Sequence, residues 1–216
     1  MLIACWSLKG GAGVSTVVAA IAQAGVVTGR GPVAIADLCG DQALLHGVGW
    51  GAGAGLRGWT RAGPDVPPDA LERLLEPLSE DMSLLGPGTG RWVGERAEAL
   101  GKALSQMAGL VVADVGQAIH TAVGRAVVEG ADRSVLVIRA CPLSMRAVAD
   151  LTLKPDCVVL VRDPRRWLGW REVAERCGVP VVAEIDLDPA VGKCADVGII
   201  HRPLPKRFVQ ALAEIV

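Results

Sequence analysis

The 216-residue sequence predicts an α/β fold, a doubly wound, mostly parallel sheet flanked by helices. Three observations predict it. Apolar strand-like runs alternate with helical patterns from end to end. Several of those runs are apolar at every position, as strands covered on both faces require. A glycine-rich turn, Gly10-Gly11-Ala12-Gly13, joins the first run to the first helical pattern, as at the ligand-binding end of such sheets.

Taken in order, the strands are expected at 2–6, 32–38, 82–85, 110–115, 133–139, 157–162 and 179–185. Helices are expected between and after them, at 16–28, 69–77, 91–107, 120–129, 143–151, 167–177 and 205–215. One stretch breaks the alternation. Residues 47–68 are rich in glycine and proline and carry Trp50, Arg57, Trp59 and Arg61, which reads as a long functional or mobile loop. Two readings of its tryptophans stay open: caps folded back onto the core, or an aromatic surface for a partner or second subunit.

The bulk numbers narrow the field. A chain of 216 residues suits one domain spanning 1–216, and a chain of this size buries roughly 70% of its unfolded surface without metal or disulfide staples. Apolar residues make up 51%, but glycine and alanine inflate that share and no run reaches the ~20 apolar residues of a membrane span. A net charge of −1 excludes a general polyanion binder. The sequence opens on its first strand with no basic leader, so cytoplasm is the expected location. The 6 cysteines form no C-x-x-C pair and read as reduced residues, several in the core. His46, His120 and His201 are scattered without ligand spacing and read as packing or solvent residues.

The chemistry concentrates in Ser7-Leu8-Lys9-Gly10-Gly11-Ala12-Gly13-Val14-Ser15-Thr16. A glycine-rich turn between a strand and a helix lets backbone N–H groups converge on a phosphate, and the helix N-terminus adds its dipole. The general phosphate loop carries a lysine where this chain has Val14.

This stretch resembles the deviant Walker A loop, K-G-G-x-G-K-[ST]-T, of the ParA/MinD family of dimeric P-loop ATPases. The resemblance places Lys9 at the signature position that reaches the partner's phosphates. It makes Gly10, Gly11, Ala12, Gly13, Val14, Ser15 and Thr16 the nucleotide cradle, with the Ser15 hydroxyl on Mg²⁺. Val33-Ala34-Ile35-Ala36-Asp37-Leu38-Cys39 is similar to the family's second strand and D-x-D segment, with Asp37 at the first acidic position and Cys39 at the second. Leu110-Val111-Val112-Ala113-Asp114-Val115-Gly116 is similar to the Walker B strand. The implied catalytic residues are Lys9, Asp37 and Asp114, and the implied metal residues Ser15, Asp37 and Asp114. Val161 stands at the asparagine position near the base, and the segment around Asp188 and Pro189 resembles the loop bordering it. Ala43-Leu44-Leu45 and Cys141-Pro142-Leu143-Ser144-Met145-Arg146 lean toward the CpaE/TadZ branch.

The implied cofactor is ATP or ADP with Mg²⁺, or none if the site is dead. A charge-assisted hydrogen bond contributes about 1.5–3 kcal/mol, so losing the lysine at Val14 weakens nucleotide binding by about ten- to a hundredfold. Losing the carboxylate at Cys39 removes a factor of about 10²–10⁴ in rate. The expected protein is therefore a degenerate homodimeric positioning or scaffold factor with weak or absent hydrolysis. The alternative is a nucleotide-free module recruiting a protein partner or non-specific DNA. Its contact surface would be the glycine/tryptophan loop or the cluster of Arg162, Arg165, Arg166 and Arg171 with Trp167 and Trp170. No basic amphipathic tail closes the sequence, so direct membrane insertion is not expected. A dinucleotide-dependent oxidoreductase fits less well: Gly11, Gly13 and Asp37 mimic its fingerprint, but Thr16 replaces the third glycine.

Overall fold

The computed structural model describes residues 1–49, 53–63 and 65–216. These form an 8-stranded sheet of β1 (Leu2–Trp6), β2 (Val33–Asp37), β3 (Glu76–Pro77), β4 (Met82–Leu85), β5 (Leu110–Gly116), β6 (Arg133–Arg139), β7 (Cys157–Arg162) and β8 (Val181–Asp186). The spatial order is β3-β4-β2-β5-β1-β6-β7-β8. Every pairing is parallel except the short β3–β4 edge. The helices are α1 (Val14–Val27), α2 (Gln42–Leu45), α3 (Gly55–Arg61), α4 (Ala97–Gln106), α5 (Ala122–Glu129), α6 (Pro142–Ala149), α7 (Trp170–Cys177), α8 (Pro189–Asp196) and α9 (Lys206–Gln210).

The central strand shows why its sequence is apolar throughout. Ile3 and Cys5 pack into one cluster with Val17, Val18 and Ile21 of α1. Leu2, Ala4 and Trp6 pack into the other with Leu100 and Leu104 of α4. Each side chain of β1 is buried on one face or the other, so no position is free to be polar. The chain leaves β1 toward β2 and later returns on the other side to β6, so the strand order reverses at β1. A crevice opens at such a switch point, outside the carboxyl ends of the strands, and the glycine-rich loop lies there.

Three stretches differ from expectation. The helix expected at 69–77 is two short 3₁₀ turns, Pro68–Ala70 and Glu72–Leu74, followed by β3. Prolines bracket this segment, and Pro77, lacking an N–H, is tolerated only on the sheet edge where it sits. The stretch 47–68 contains α3, whose Leu56, Trp59 and Thr60 are buried. Tertiary burial overrides the low helix propensity of its glycines. Trp59 therefore takes the capping role: its indole packs under the Arg96 guanidinium at 4.1 Å, and Arg96 donates to the Trp59, Ala62 and Gly63 carbonyls. It is not an exposed anchor, and Trp50 lies outside the described residues. Finally, α8 follows β8 where only a loop was expected. Asp188 caps it by accepting from the Ala190 N–H at 2.8 Å, and Pro189 fills the first turn.

Candidate nucleotide site

Two adjoining cavities open at the carboxyl ends of the strands. One, of about 650 Å³, runs along the loop between β1 and α1 and is bordered by Gly10 to Thr16, the turn after β2 and the end of β5. The other, of about 310 Å³, is lined by Val161, Ile185, Leu187, Val191 and Phe208, with Asp188 and Pro189 at its edge. They meet at Gly13 and Thr16. Gly13 has φ +91°, a left-handed conformation that a side chain would strain, and its carbonyl starts α1 by accepting from the Val17 N–H at 3.0 Å. The structure thus brings together Gly10, Gly11, Ala12, Gly13, Val14, Ser15, Thr16, Asp188 and Pro189 around one continuous cleft.

Lys9 is set apart from that cleft. Its residue is exposed and, with Ser7, Leu8 and Ala12, adjoins Leu136 and Ile138 of β6. Beside it Cys141 caps α6, accepting from the Ser144 N–H. Burial alone would raise that thiol, but hydrogen bonds at Ser144 and Leu143 and the Lys9 charge hold it below the ordinary value. Val14, at the place of the second lysine, is only 7% exposed and belongs to the apolar cluster with Ala12 and Val17.

The acidic residues lie beneath the loop. Asp37 and Asp114 are neighbours in the β2–β5 register, and both are fully buried. Asp37 gives one oxygen to the Cys39 and Gly40 N–H groups, at 3.0 and 2.6 Å, and the other to the Gln42 N–H at 3.0 Å. It closes the turn that leads into α2. Burial nevertheless raises its pKa. Asp114 is pushed up to about 7, by burial first and by the Asp37 charge second. Its Oδ2 accepts from the Gln42 amide at 2.7 Å, whereas its Oδ1 has no partner among the described residues.

Cys39 does not reproduce an acid. Its thiol donates to the Val115 carbonyl at 3.2 Å, and burial together with Asp114 pushes it up to about 12. It packs against Gly116, where a Cβ would stand 2.6 Å from the sulfur. Only glycine fits that end of β5.

Sequence reasoning missed Gln42. Its amide donates to Asp114 and, at 3.0 Å, to the Ser15 carbonyl, while its oxygen faces His46 Nε2 at 3.2 Å. One side chain thereby ties β5 to α1 and α2. The signal available was an amide, a group with both donor and acceptor, just after an acidic turn. His46 and His201, far apart in sequence, stack with ring centroids 6.0 Å apart.

No protein-family model matches the sequence, and no curated protein matches it by sequence. Solved structures do match. A ParA family ATPase from Chlorobium tepidum superposes with TM-score 0.78 at 18% identity, over 99% of this chain and 97% of that one. The MinC:MinD cell division complex of Aquifex aeolicus gives TM-score 0.77 at 16% identity, over 99% and 94%. The septum site-determining protein MinD of Pyrococcus horikoshii, complexed with Mg-ADP, gives 0.72 at 19%, over 99% and 93%. A doubly wound parallel sheet, a glycine loop at its switch point and agreement along nearly the full length of each neighbour lead to one conclusion: this chain has the ParA/MinD ATPase fold.

Proposed function

We propose that this protein, acting as one domain over residues 1–216, is a nucleotide-binding homodimer of the ParA/MinD type with little or no ATP hydrolysis. It serves as a positioning or scaffold factor in partitioning, polar localisation or pilus and secretion assembly, and its segments after β2 and β6 lean toward the CpaE/TadZ branch. The observation that carries this reading is the continuous cleft, which keeps a phosphate loop and an apolar ring pocket but presents a buried valine and a neutral thiol where a lysine and a carboxylate would act. The neighbour crystallised with Mg-ADP supports a nucleotide in this cleft.

In this reading Gly10, Gly11, Ala12, Gly13 and Thr16 cradle the ligand, and Asp188 and Pro189 border its base. The Ser15 hydroxyl and the unpartnered Asp114 Oδ1 fit a hydrated Mg²⁺. Asp37, with both oxygens committed to backbone donors, shapes the turn. Lys9 acts across the dimer, away from its own cleft.

The test is steady-state phosphate release together with light scattering. The wild type should release phosphate at background rate, and Lys9→Ala should weaken any ATP-linked dimer. Val14→Lys combined with Cys39→Asp should raise ATP affinity or turnover; a folded double variant that gains neither sinks the assignment of this loop.

A second reading, a module that recruits a partner without nucleotide, is favoured by the loop after β7. Trp167 is 101% exposed and Trp170 nearly half exposed, with Arg171 5.2 Å over the Trp170 ring. Asp163 holds Arg139 at 2.7 Å and Arg165 at 3.0 Å, and Asp186 holds Arg162 at 2.6 Å. With these cations paired, the surface offers its indoles more than free charge. That suits a protein partner better than non-specific DNA. Trp167→Ala should abolish partner capture while leaving stability within ~0.5 kcal/mol by urea unfolding.

A further inference from the structure

The charge of the cleft points to a narrower ligand class, an inference that rests on the nucleotide-site reading above. Among the described residues lining the loop-side cavity there is no lysine or arginine, and its one charged group is Asp41. Val14, an uncharged side chain, is packed into the apolar cluster under the loop where a cation would stand. Lys9 is exposed and borders the pocket on the β6 side instead of this cavity. Below the floor lie Asp37 and Asp114, both fully buried. A phosphate placed along this cavity therefore meets no cationic side chain from the same chain. Within one chain, the groups offsetting its charge are the main-chain N–H donors of the loop and the N-terminus of α1, a helix of 14 residues.

The adjoining cavity has the opposite character. Val161, Ile185, Val191 and Phe208 line it, and the two acids at its rim are already neutralised. Arg162 grips Asp186 through two hydrogen bonds at 2.6 and 3.0 Å, and Arg207 holds Asp188 at 2.8 Å. A volume of about 310 Å³ with apolar walls takes a flat heteroaromatic ring, and its desolvation supplies the driving force. The two cavities meet at Gly13 and Thr16, where the first phosphate of a ring-anchored ligand would lie.

We propose that the cleft takes a nucleoside or a nucleoside monophosphate in preference to the triphosphate, with the ring in the apolar cavity and at most one phosphate on the loop. The ligand's identity is thus carried by its ring, and added phosphates weaken binding where a lysine-bearing loop would gain from them.

The test is calorimetric titration of the full chain with adenosine, AMP, ADP and ATP, each with and without Mg²⁺. AMP should bind about tenfold or more tightly than ATP–Mg²⁺, the size expected when charge-assisted contacts are missing. Asp41→Asn, at the N-cap of α2 where the exposed side chain makes no capping hydrogen bond, should narrow that ratio several-fold by raising ATP affinity more than AMP affinity. ATP–Mg²⁺ binding as tightly as AMP, or more tightly, overturns the inference and leaves the nucleotide site standing. Failure of all four ligands to bind, by heat and by thermal shift, removes the site itself and the inference with it.

Discussion

Gln42 shows how much of this site hangs on a single uncharged side chain. Its amide spans the Asp114 carboxylate and the Ser15 carbonyl, and its oxygen meets His46. Gln42→Leu keeps the volume but leaves Asp114 with neither oxygen bonded, so unfolding free energy should fall by about 1–3 kcal/mol in urea titrations. His46 supplies a pH signature. Burial first, and His201 second, lower its pKa from 6.5 to about 4. A depressed histidine pKa means the unfolded chain binds the extra proton more readily than the folded one. Stability contributed by neutral His46 is therefore intact above about pH 6.5 and is lost as pH falls toward about 4. The urea midpoint should drop across that interval, and His46→Gln should flatten the drop; an unchanged slope in the variant would contradict the assignment. Neither residue was legible as a site member, because both act through contacts that the chain makes only once β2, β5 and α8 are assembled. Val14 and Ser15 were read from the strand–loop–helix spacing, whereas Lys9, Asp37, Cys39 and Asp114 were read from the resemblance to the ParA/MinD family.

At the scale of elements, strands were read nearly to the residue where both faces are covered, because a run such as Leu2 to Trp6 has no alternative burial. Helices were less legible where capping or burial outweighs propensity. α8 begins with an Asp-Pro pair, a start signal hidden by its reading as a base-bordering loop. α3 lies in a stretch whose glycines and prolines argue against any helix, yet Leu56 and Trp59 bury it and Arg96 straps it from above. Trp59→Ala should cost about 3–5 kcal/mol, and Arg96→Ala less, since carbonyls freed at the surface regain water. Because the two side chains touch, their double variant should fall short of the summed losses. Simple additivity in thermal unfolding would mean that the strap does not stabilise α3.

For the whole molecule, the doubly wound sheet follows from alternation that any reader of the sequence can see, while the cleft's character follows from substitutions within it. The fold places a glycine-rich loop, an acidic pair and an apolar cavity at one end of the sheet. The chain then fills the cation's place with Val14 and the acid's with Cys39. In the proposed reading this is a binding cleft without the groups that drive turnover. Among the described residues no helix is long and apolar enough to cross a membrane, and the exposed indoles of Trp167 and Trp170 line neither cavity of the cleft. The most direct test of the central claim is equilibrium dialysis of the protein against labelled ATP–Mg²⁺, with the nucleotide on each side identified chemically after several hours. The account predicts an excess of label on the protein side and nucleotide that remains ATP. Conversion to ADP over many turnovers per chain, or label spread equally across the membrane, would contradict it.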